Sequence, residues 1–180
     1  MRKTEDVRVR EVILDAAVIL VEESAIDTLS LQQLAEATGL PLSDVHYHFS
    51  NMEDLVRAMV WQLFDTFVLR IETALGDDDA PGAWSRAYVR GAFPEDGTDF
   101  TRLASVLLQS TRYRPELHDA VRQKQDELHC VMLRDGIDPL RAAVIKLAVD
   151  GLWLSRMLQI PAIPEDMRLP VLEYLQQTAR

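Results

Sequence analysis

Apolar residues recur at intervals of three and four along nearly the whole chain, and this spacing limits the fold more than any other feature. It places them on one face of an α-helix, whereas strand residues alternate every second position. The first such stretch is Val9, Val12, Ile13, Ala16, Ala17 and Leu20. Further stretches follow at 31–37, 41–49, 52–75, 84–93, 100–110, 115–134, 138–158 and 166–178. We therefore predict an all-α protein of about nine helices.

The amino-acid composition excludes several classes of protein. The single cysteine, Cys130, excludes a disulfide framework within one chain and a metal cluster held by thiolates. No apolar run approaches the roughly 18–20 residues that a membrane-spanning helix needs. The first residues also lack the apolar segment of a signal peptide. We expect a cytoplasmic protein with no membrane partner.

The common sequence patterns of catalytic and metal sites are missing from the chain. It contains no phosphate-binding loop, dinucleotide fingerprint, serine-hydrolase elbow or HExxH pair. His46 and His48 would point in different directions from a helix, and His118 and His129 are three helical turns apart, too far to share one ion. The sequence therefore predicts no enzyme, no metal site and no cofactor.

Residues 142–154 are apolar on almost every face of the helix that they predict. A surface helix is apolar on one face, so this helix must be covered on two sides, by its own core and by something else. Gly151 costs about 1 kcal/mol in a helix interior relative to alanine, which favours close approach of another helix. The simplest partner is a second copy related by two-fold symmetry. The predicted dimer interface comprises Gly151, Leu152, Leu169 and Leu172, the C-terminal helix exposing Leu169, Leu172 and Leu175 on one side.

Aromatic residues and methionines recur at helical spacing in the C-terminal two-thirds of the chain. Any one of them is explained as an ordinary core residue, but together they favour a ligand pocket, because large rings and adaptable methionine line apolar sites. We expect Trp84, Tyr88, Trp153 and Met157 near the pocket wall. Polar residues that could orient a ligand, or simply pair at the surface, are Gln109, Arg112, His129 and Asp150.

The charge of the N-terminal residues disfavours a nucleic-acid partner. The chain has a net charge of −10, and residues 1–55 hold four basic residues against eleven acidic ones, a net charge of −7. Contacts with DNA phosphates need lysine and arginine. On charge alone, DNA binding is not expected.

Motifs in the same residues nevertheless describe a helix-turn-helix. Ser30 can cap a helix with Gln33 three residues later, and the glycine of Thr38-Gly39-Leu40 suits a turn before a helix that opens at Pro41. Residues 8–58 resemble the N-terminal signature of TetR-type (tetracycline-repressor-like) regulators. The resemblance lies in REVILDAA at 10–17, SLQQLAEATGL at 30–40, VHYHF at 45–49 and EDL at 53–55.

This resemblance implies a ligand-responsive, one-component transcriptional regulator, usually a repressor, that binds operator DNA as a homodimer. It implies a helix-turn-helix DNA-binding domain over 1–51, which we call the head, and a helical ligand-binding and dimerisation domain over 52–180, the body. The helix at 41–49 would enter the major groove of double-stranded DNA. Helices over 84–158 would enclose a small-molecule effector, and those at 138–158 and 166–178 would form the dimer interface. Activation instead of repression stays open.

The helix expected to read DNA departs from the family pattern. Leu42-Ser43-Asp44 stands where the family commonly has Lys-Gly-Thr, and His46 replaces a phosphate-contacting tyrosine, as Met52 replaces a lysine. The predicted DNA-binding residues are Arg8, Arg10, Ser30, Gln32, Gln33, Leu42, Ser43, Asp44, His46, Tyr47 and His48, with Arg2 and Lys3 in a basic arm. Because this helix carries no lysine or arginine, an alternative is a ligand-binding or protein-interaction module whose acidic head has lost DNA binding.

Overall fold

The computed structural model of the protein describes residues 2–23, 29–93, 103–105 and 115–180, most of which are helical. Its helices are α1 (Arg2–Glu23), α2 (Leu31–Thr38), α3 (Leu42–His48), α4 (Met52–Leu75), α5 (Ala83–Ala92), α6 (Pro115–Leu133), α7 (Pro139–Leu158) and α8 (Glu165–Thr178). Residues 103–105 form a further helical segment, and the residues described contain no strand. The all-α prediction of about nine helices is confirmed.

Several predicted features lie outside the described residues. They are the side chains of Arg2 and Lys3, most of the helix expected over 100–110, and the polar candidates Gln109 and Arg112. None of the described helices is long and apolar enough to cross a membrane.

Capping side chains begin the helices close to the predicted positions. The Ser30 hydroxyl accepts the backbone N–H of Gln33 at 3.2 Å, and Gly39 ends α2 with a φ of 68°. The Asn51 carboxamide oxygen accepts the N–H of Asp54 at 2.9 Å, so Asn51 caps α4 and Asp54 stands at the third position of that helix.

The described residues divide into two compact units, of which the first contains 2–23, 29–63, 103–105 and 115–120. In this unit α2 packs against both α1 and α3. Its buried side chains include Ile13, Ala17, Val21, Leu34, Val45, Phe49, Leu55 and Met59. Helix α4 begins at Met52, where the sequence predicts that the body begins, and this domain boundary stays a prediction.

The second unit contains residues 64–93 and 121–180. In it α5 packs against α7 and α8, which also contact each other. Buried side chains of this unit include Ile71, Ala87, Tyr88, Val89, Met132, Ile145, Val149, Leu172 and Leu175.

The exposed face of α8 differs from the prediction. Leu172 is only 7% exposed and Leu175 is buried as well, whereas Leu169 is 66% exposed. Because α8 packs on α5 and α7 with the face that carries Leu172, Leu175 and Ala179, two of the three leucines belong to the core of their own protomer. Leu172 is therefore packed mainly within its own protomer, and its place at a dimer interface stays a prediction.

Candidate functional site

Helix α3 presents a polar outer face. Val45 and Phe49 point inward and are buried, whereas five residues of the helix are exposed. The exposed residues are Leu42, Ser43, Asp44, His46 and Tyr47, with His48 half-buried. Tyr47 is 76% exposed, and its ring meets the ring of His48 edge to face at 5.0 Å between centroids. All six predicted DNA-binding residues of this helix are thus accessible to some degree.

The predicted contacts on α2 also have local roles. The Ser30 hydroxyl, besides capping the helix, donates to the side-chain oxygen of Gln33 at 3.1 Å. The side-chain amide of Gln32 donates to the carboxylate of Glu36 at 3.0 Å. Ser30 is half-buried and both glutamines are exposed, so these side chains remain accessible from solvent despite their local hydrogen bonds.

Helix α1 contributes two arginines whose side chains the structure describes. Arg8 and Arg10 are both exposed. The guanidinium carbon of Arg10 lies 5.1 Å from the ring centroid of Phe49, a cation–π distance that joins α1 to the end of α3. Helix α3 itself carries one formal charge, that of Asp44. The head therefore offers few positive groups to DNA phosphates.

In the second unit, a cluster of aromatic and polar side chains surrounds Tyr88. The ring of Trp84 stacks on the Tyr88 ring with 5.5 Å between centroids, and Phe67 meets it edge-on at the same distance. The Tyr88 hydroxyl donates to the carboxylate of Asp150. Lys146 donates to the same carboxylate, and its ammonium lies 5.7 Å from the Tyr88 centroid. We call these five residues the Tyr88 cluster.

The Tyr88 cluster holds one positive and one negative charge, those of Lys146 and Asp150, and an uncharged Tyr88 hydroxyl. Burial, followed by the negative charge of Asp150, raises the pKa of the Tyr88 hydroxyl far above its usual value near 10, so it remains a donor at neutral pH. The Lys146 side chain is 13% exposed and that of Asp150 is 40% exposed. The carboxylate is thus the charged group of the pair that a solute would reach first.

Helix α7 connects the Tyr88 cluster to the other predicted pocket residues. Trp153 lies three residues and Met157 seven residues after Asp150, which places them on the same face of α7, and both are half-buried.

Trp84 of the Tyr88 cluster also lines a cleft of about 300 Å³, beside Pro81 and Asp135. Lys146 was missed as a site residue because spacing of four from Asp150 also describes an ordinary surface pair, and only tertiary packing buries it.

A larger groove, of about 600 Å³, lies between the C-terminal halves of α4 and α5 and one face of α8. Sequence reasoning missed this groove, because it forms where three helices meet and no local spacing indicates it. Leu169 and Leu172, which are also predicted at the dimer interface, line this groove.

Helix α7 carries an exposed apolar stripe on the side away from its buried residues. Ala142, Ile145 and Val149 are buried. The exposed side chains, each at least 50% exposed, are Leu140, Val144, Leu147, Leu154 and Leu158. Gly151 lies in the same stripe, and a Cβ added there would meet no atom within 4 Å. Among the described residues, no helix of the same protomer approaches Gly151 closely, and Leu152 beside it is half-buried.

The remaining candidates for chemistry, His129 and Cys130, lie side by side in the sequence of α6. His129 is half-buried and its neighbour Cys130 is an exposed free thiol. Within the described parts of the chain, no group of three or more histidine, cysteine, aspartate or glutamate side chains is placed to hold a metal ion.

Solved structures share the fold of this chain over nearly its whole length. The regulator SCO7518 of Streptomyces coelicolor A3(2) aligns with a TM-score of 0.74 at 23% identity, covering 94% of this chain and 97% of that one. A TetR-family member of the same organism, SCO1917, aligns at 0.68 and 27% identity, covering 92% and 96%. The multidrug binding protein EbrR, in complex with proflavin, aligns at 0.62 and 26% identity, covering 94% and 98%. No curated protein sequence matches the chain.

Two family models match the sequence itself. Residues 13–59 match the model described as bacterial regulatory proteins, tetR family. Residues 82–180, more than half of the chain, match the model described as tetracyclin repressor-like, C-terminal domain. The chain therefore belongs to the TetR family of bacterial regulatory proteins.

Proposed function

We propose that the protein is a cytoplasmic, ligand-responsive repressor that binds operator DNA as a homodimer and performs no catalysis. The observation that carries this proposal is the outer face of α3, where exposed polar side chains stand above buried Val45 and Phe49. A helix with one buried apolar edge and one polar face fits the major groove, which is wide enough to admit it.

Recognition of DNA by this head would rely on hydrogen bonds more than on charge. Asp44 can accept from the amino group of cytosine, and Ser43, His46 and Tyr47 can bond base edges or phosphates. Arg8 and Arg10 supply the described positive charge for phosphates. Base reading by α3 would therefore matter more for affinity here than in a head rich in lysine.

The apolar stripe on α7 supports the homodimer. Its positions from Leu140 to Leu158 follow one another at intervals of four, three, four, three and four, the heptad spacing of helices that pack in pairs. Gly151 in the middle of the stripe would let the helix of a second copy approach closely. A single chain in water would leave this stripe exposed to solvent, which burial in a dimer avoids.

The Tyr88 cluster is our candidate for the effector site. It combines aromatic walls with a small number of polar groups, the usual composition of a small-molecule site. Trp153 and Met157 on the same face of α7 would extend its apolar wall. EbrR, whose fold this chain shares, is a multidrug binding protein seen with proflavin, which is consistent with a ligand in the body. The ligand would shift the DNA-binding equilibrium by its different affinity for two conformations, typically worth about 1–3 kcal/mol.

A gel mobility shift with duplex DNA from upstream of the protein's own gene tests the proposal. We expect retardation that an unrelated duplex of equal length does not give at the same concentration. Tyr47→Ala should weaken binding to the specific duplex, and Asp44→Asn should tighten binding to both duplexes by removing a negative charge near the phosphates. Equal retardation of both duplexes by the unmodified protein would contradict operator recognition.

The alternative of an interaction module is favoured by charge, because residues 1–55 have a net charge of −7 and Asp44 is the only formal charge on α3. In that case no duplex would be retarded, even at low salt, while the body still bound ligands and dimerised. The same mobility shift therefore separates the two functions.

A further inference from the structure

The groove between α4, α5 and α8 has an apolar floor. Val89 and Phe93 at the end of α5 and Leu172 of α8 are all buried in the protein and line the groove. Gly91 lies beside them, where an added Cβ would come within 3.1 Å of Ile71. The absence of a side chain at Gly91 lets α5 lie against α4, and the floor is formed by this close packing. We call the cavity the α4–α8 groove.

The rim of the α4–α8 groove carries two positive charges and one negative charge. Arg70 of α4 and Arg90 of α5 line it together with Glu173 of α8. The Arg90 guanidinium donates to the backbone oxygen of Ala74 at 2.6 Å, which holds it at the rim and uses one of its five N–H donors. Leu169, which is 66% exposed, forms the outer apolar wall.

This arrangement is unusual for a chain of net charge −10. An apolar floor with guanidiniums at its edge is complementary to a molecule with an apolar tail and an anionic end. Guanidinium matches a carboxylate in shape and charge, since the two can form parallel hydrogen bonds. We propose that the α4–α8 groove binds a small aliphatic carboxylate, with its tail over Val89, Phe93 and Leu172 and its acid at Arg70 and Arg90.

The size of the groove favours a small molecule over a protein partner. Its volume of about 600 Å³ lies within the range of roughly 300–1,000 Å³ that is usual for small-ligand sites. A stable protein interface instead needs about 800 Å² of surface on each partner. The groove is separate from the Tyr88 cluster, so the inference does not depend on the proposed effector site or on DNA binding.

Calorimetric titration of the full-length protein with decanoate, below its micelle concentration, tests this inference. We expect saturable binding of one decanoate per protomer. Decyltrimethylammonium has a tail of nearly the same length and the opposite charge, so it should bind at least about tenfold more weakly. Equal affinity for both ions would mean that the tail alone binds, and no saturable heat would mean that the groove is filled or too shallow; either result overturns the inference.

Variants of the rim locate the bound carboxylate. Arg70→Met and Arg90→Met keep the apolar stem and remove the charge, so each should weaken decanoate binding about fivefold, the scale of an exposed ion pair. Leu169→Glu should abolish binding by placing a carboxylate on the wall. The matched control is Arg134→Met, which removes an exposed arginine outside the groove and should leave the affinity unchanged.

One further variant separates this groove from the proposed effector site. Asp150→Asn alters the Tyr88 cluster and should not change decanoate affinity. If Asp150→Asn weakens binding while Arg70→Met does not, the carboxylate binds at the cluster and the inference is wrong. Circular dichroism melting of each variant shows whether the protein remains folded. Arg90→Met also loses the hydrogen bond to Ala74. If that variant does not fold, Arg70→Met alone tests the rim.

Discussion

Gly82 occupies a position that only glycine can take, at the start of α5. Its φ is 79°, a left-handed conformation, and a Cβ there would lie 1.6 Å from the backbone oxygen of Ala179. That oxygen also accepts a hydrogen bond from Arg86 at 2.8 Å. Arg86 further pairs with Asp78, and this bond lowers the pKa of the Asp78 carboxyl. The end of the chain is therefore held against α5 by contacts that a side chain at position 82 would prevent.

Gly82→Ala should destabilise the protein by about 3 kcal/mol, because strain at positive φ adds to a clash with backbone. Gly76→Ala is the matched control, since Gly76 also has a positive φ, of 55°, but open space around it. It should cost only about 1 kcal/mol. Urea unfolding midpoints measure both. Similar losses in the two variants would show that the contact with Ala179 is unimportant.

Tyr88 should remain protonated when other tyrosines ionise. Burial raises its pKa in the folded protein above the unfolded value near 10, so its contribution to stability is complete below about pH 10 and is lost as pH rises further. In an absorbance titration of tyrosinate between about pH 9 and 11, the native protein and Tyr88→Phe should show equal rises. In denaturant all four tyrosines of the unmodified protein ionise, so the variant, which lacks one of them, should show a smaller rise in absorbance. If the folded Tyr88→Phe variant showed a smaller rise than the folded unmodified protein, Tyr88 would ionise with the other tyrosines and the prediction would be wrong.

Helix bounds were predictable because their signals are local. The apolar spacing and the caps Ser30 and Asp138 act within three or four residues, and the structure begins or ends most helices within two residues of prediction. The capping group of α5 was not predictable, because it comes from far along the chain. The Asp135 carboxylate accepts the N–H groups of Trp84 and Ser85 at 2.9 and 2.6 Å. No spacing in the sequence links residues some fifty positions apart.

Which face of a helix is buried was only partly predictable. For α7 the two-sided apolar pattern predicts two covered faces; the structure buries one of them, and the cover of the other stays a prediction. In α8 the leucines at 169, 172 and 175 looked equivalent, yet packing on α5 buries two of them. The α4–α8 groove has the same origin, since it depends on how three helices meet. Tertiary packing decides these cases and local periodicity does not.

Leu147→Glu should dissociate the proposed dimer, because it places a charge in the middle of the exposed stripe of α7. Sedimentation at micromolar concentration should show a dimer for the unmodified protein and a monomer for this variant. Leu69→Glu is the control, since Leu69 is a comparably exposed leucine on α4 and should leave the dimer intact. Leu172→Glu should lower thermal stability instead, because Leu172 is buried in its own protomer. A monomeric unmodified protein would remove the stripe's proposed role.

The charge distribution of the whole molecule limits how strongly a dimer can bind DNA. Each head has four basic residues, Arg2, Lys3, Arg8 and Arg10, against eleven acidic ones in residues 1–55. A plot of the logarithm of affinity against the logarithm of salt concentration falls with a slope of about 0.9 for each neutralised phosphate. A dimer that engages about half of its cations should therefore show a slope of about 3–5. Fluorescence anisotropy with labelled operator across a salt series measures it. A slope near 10 would require cations that the head does not have.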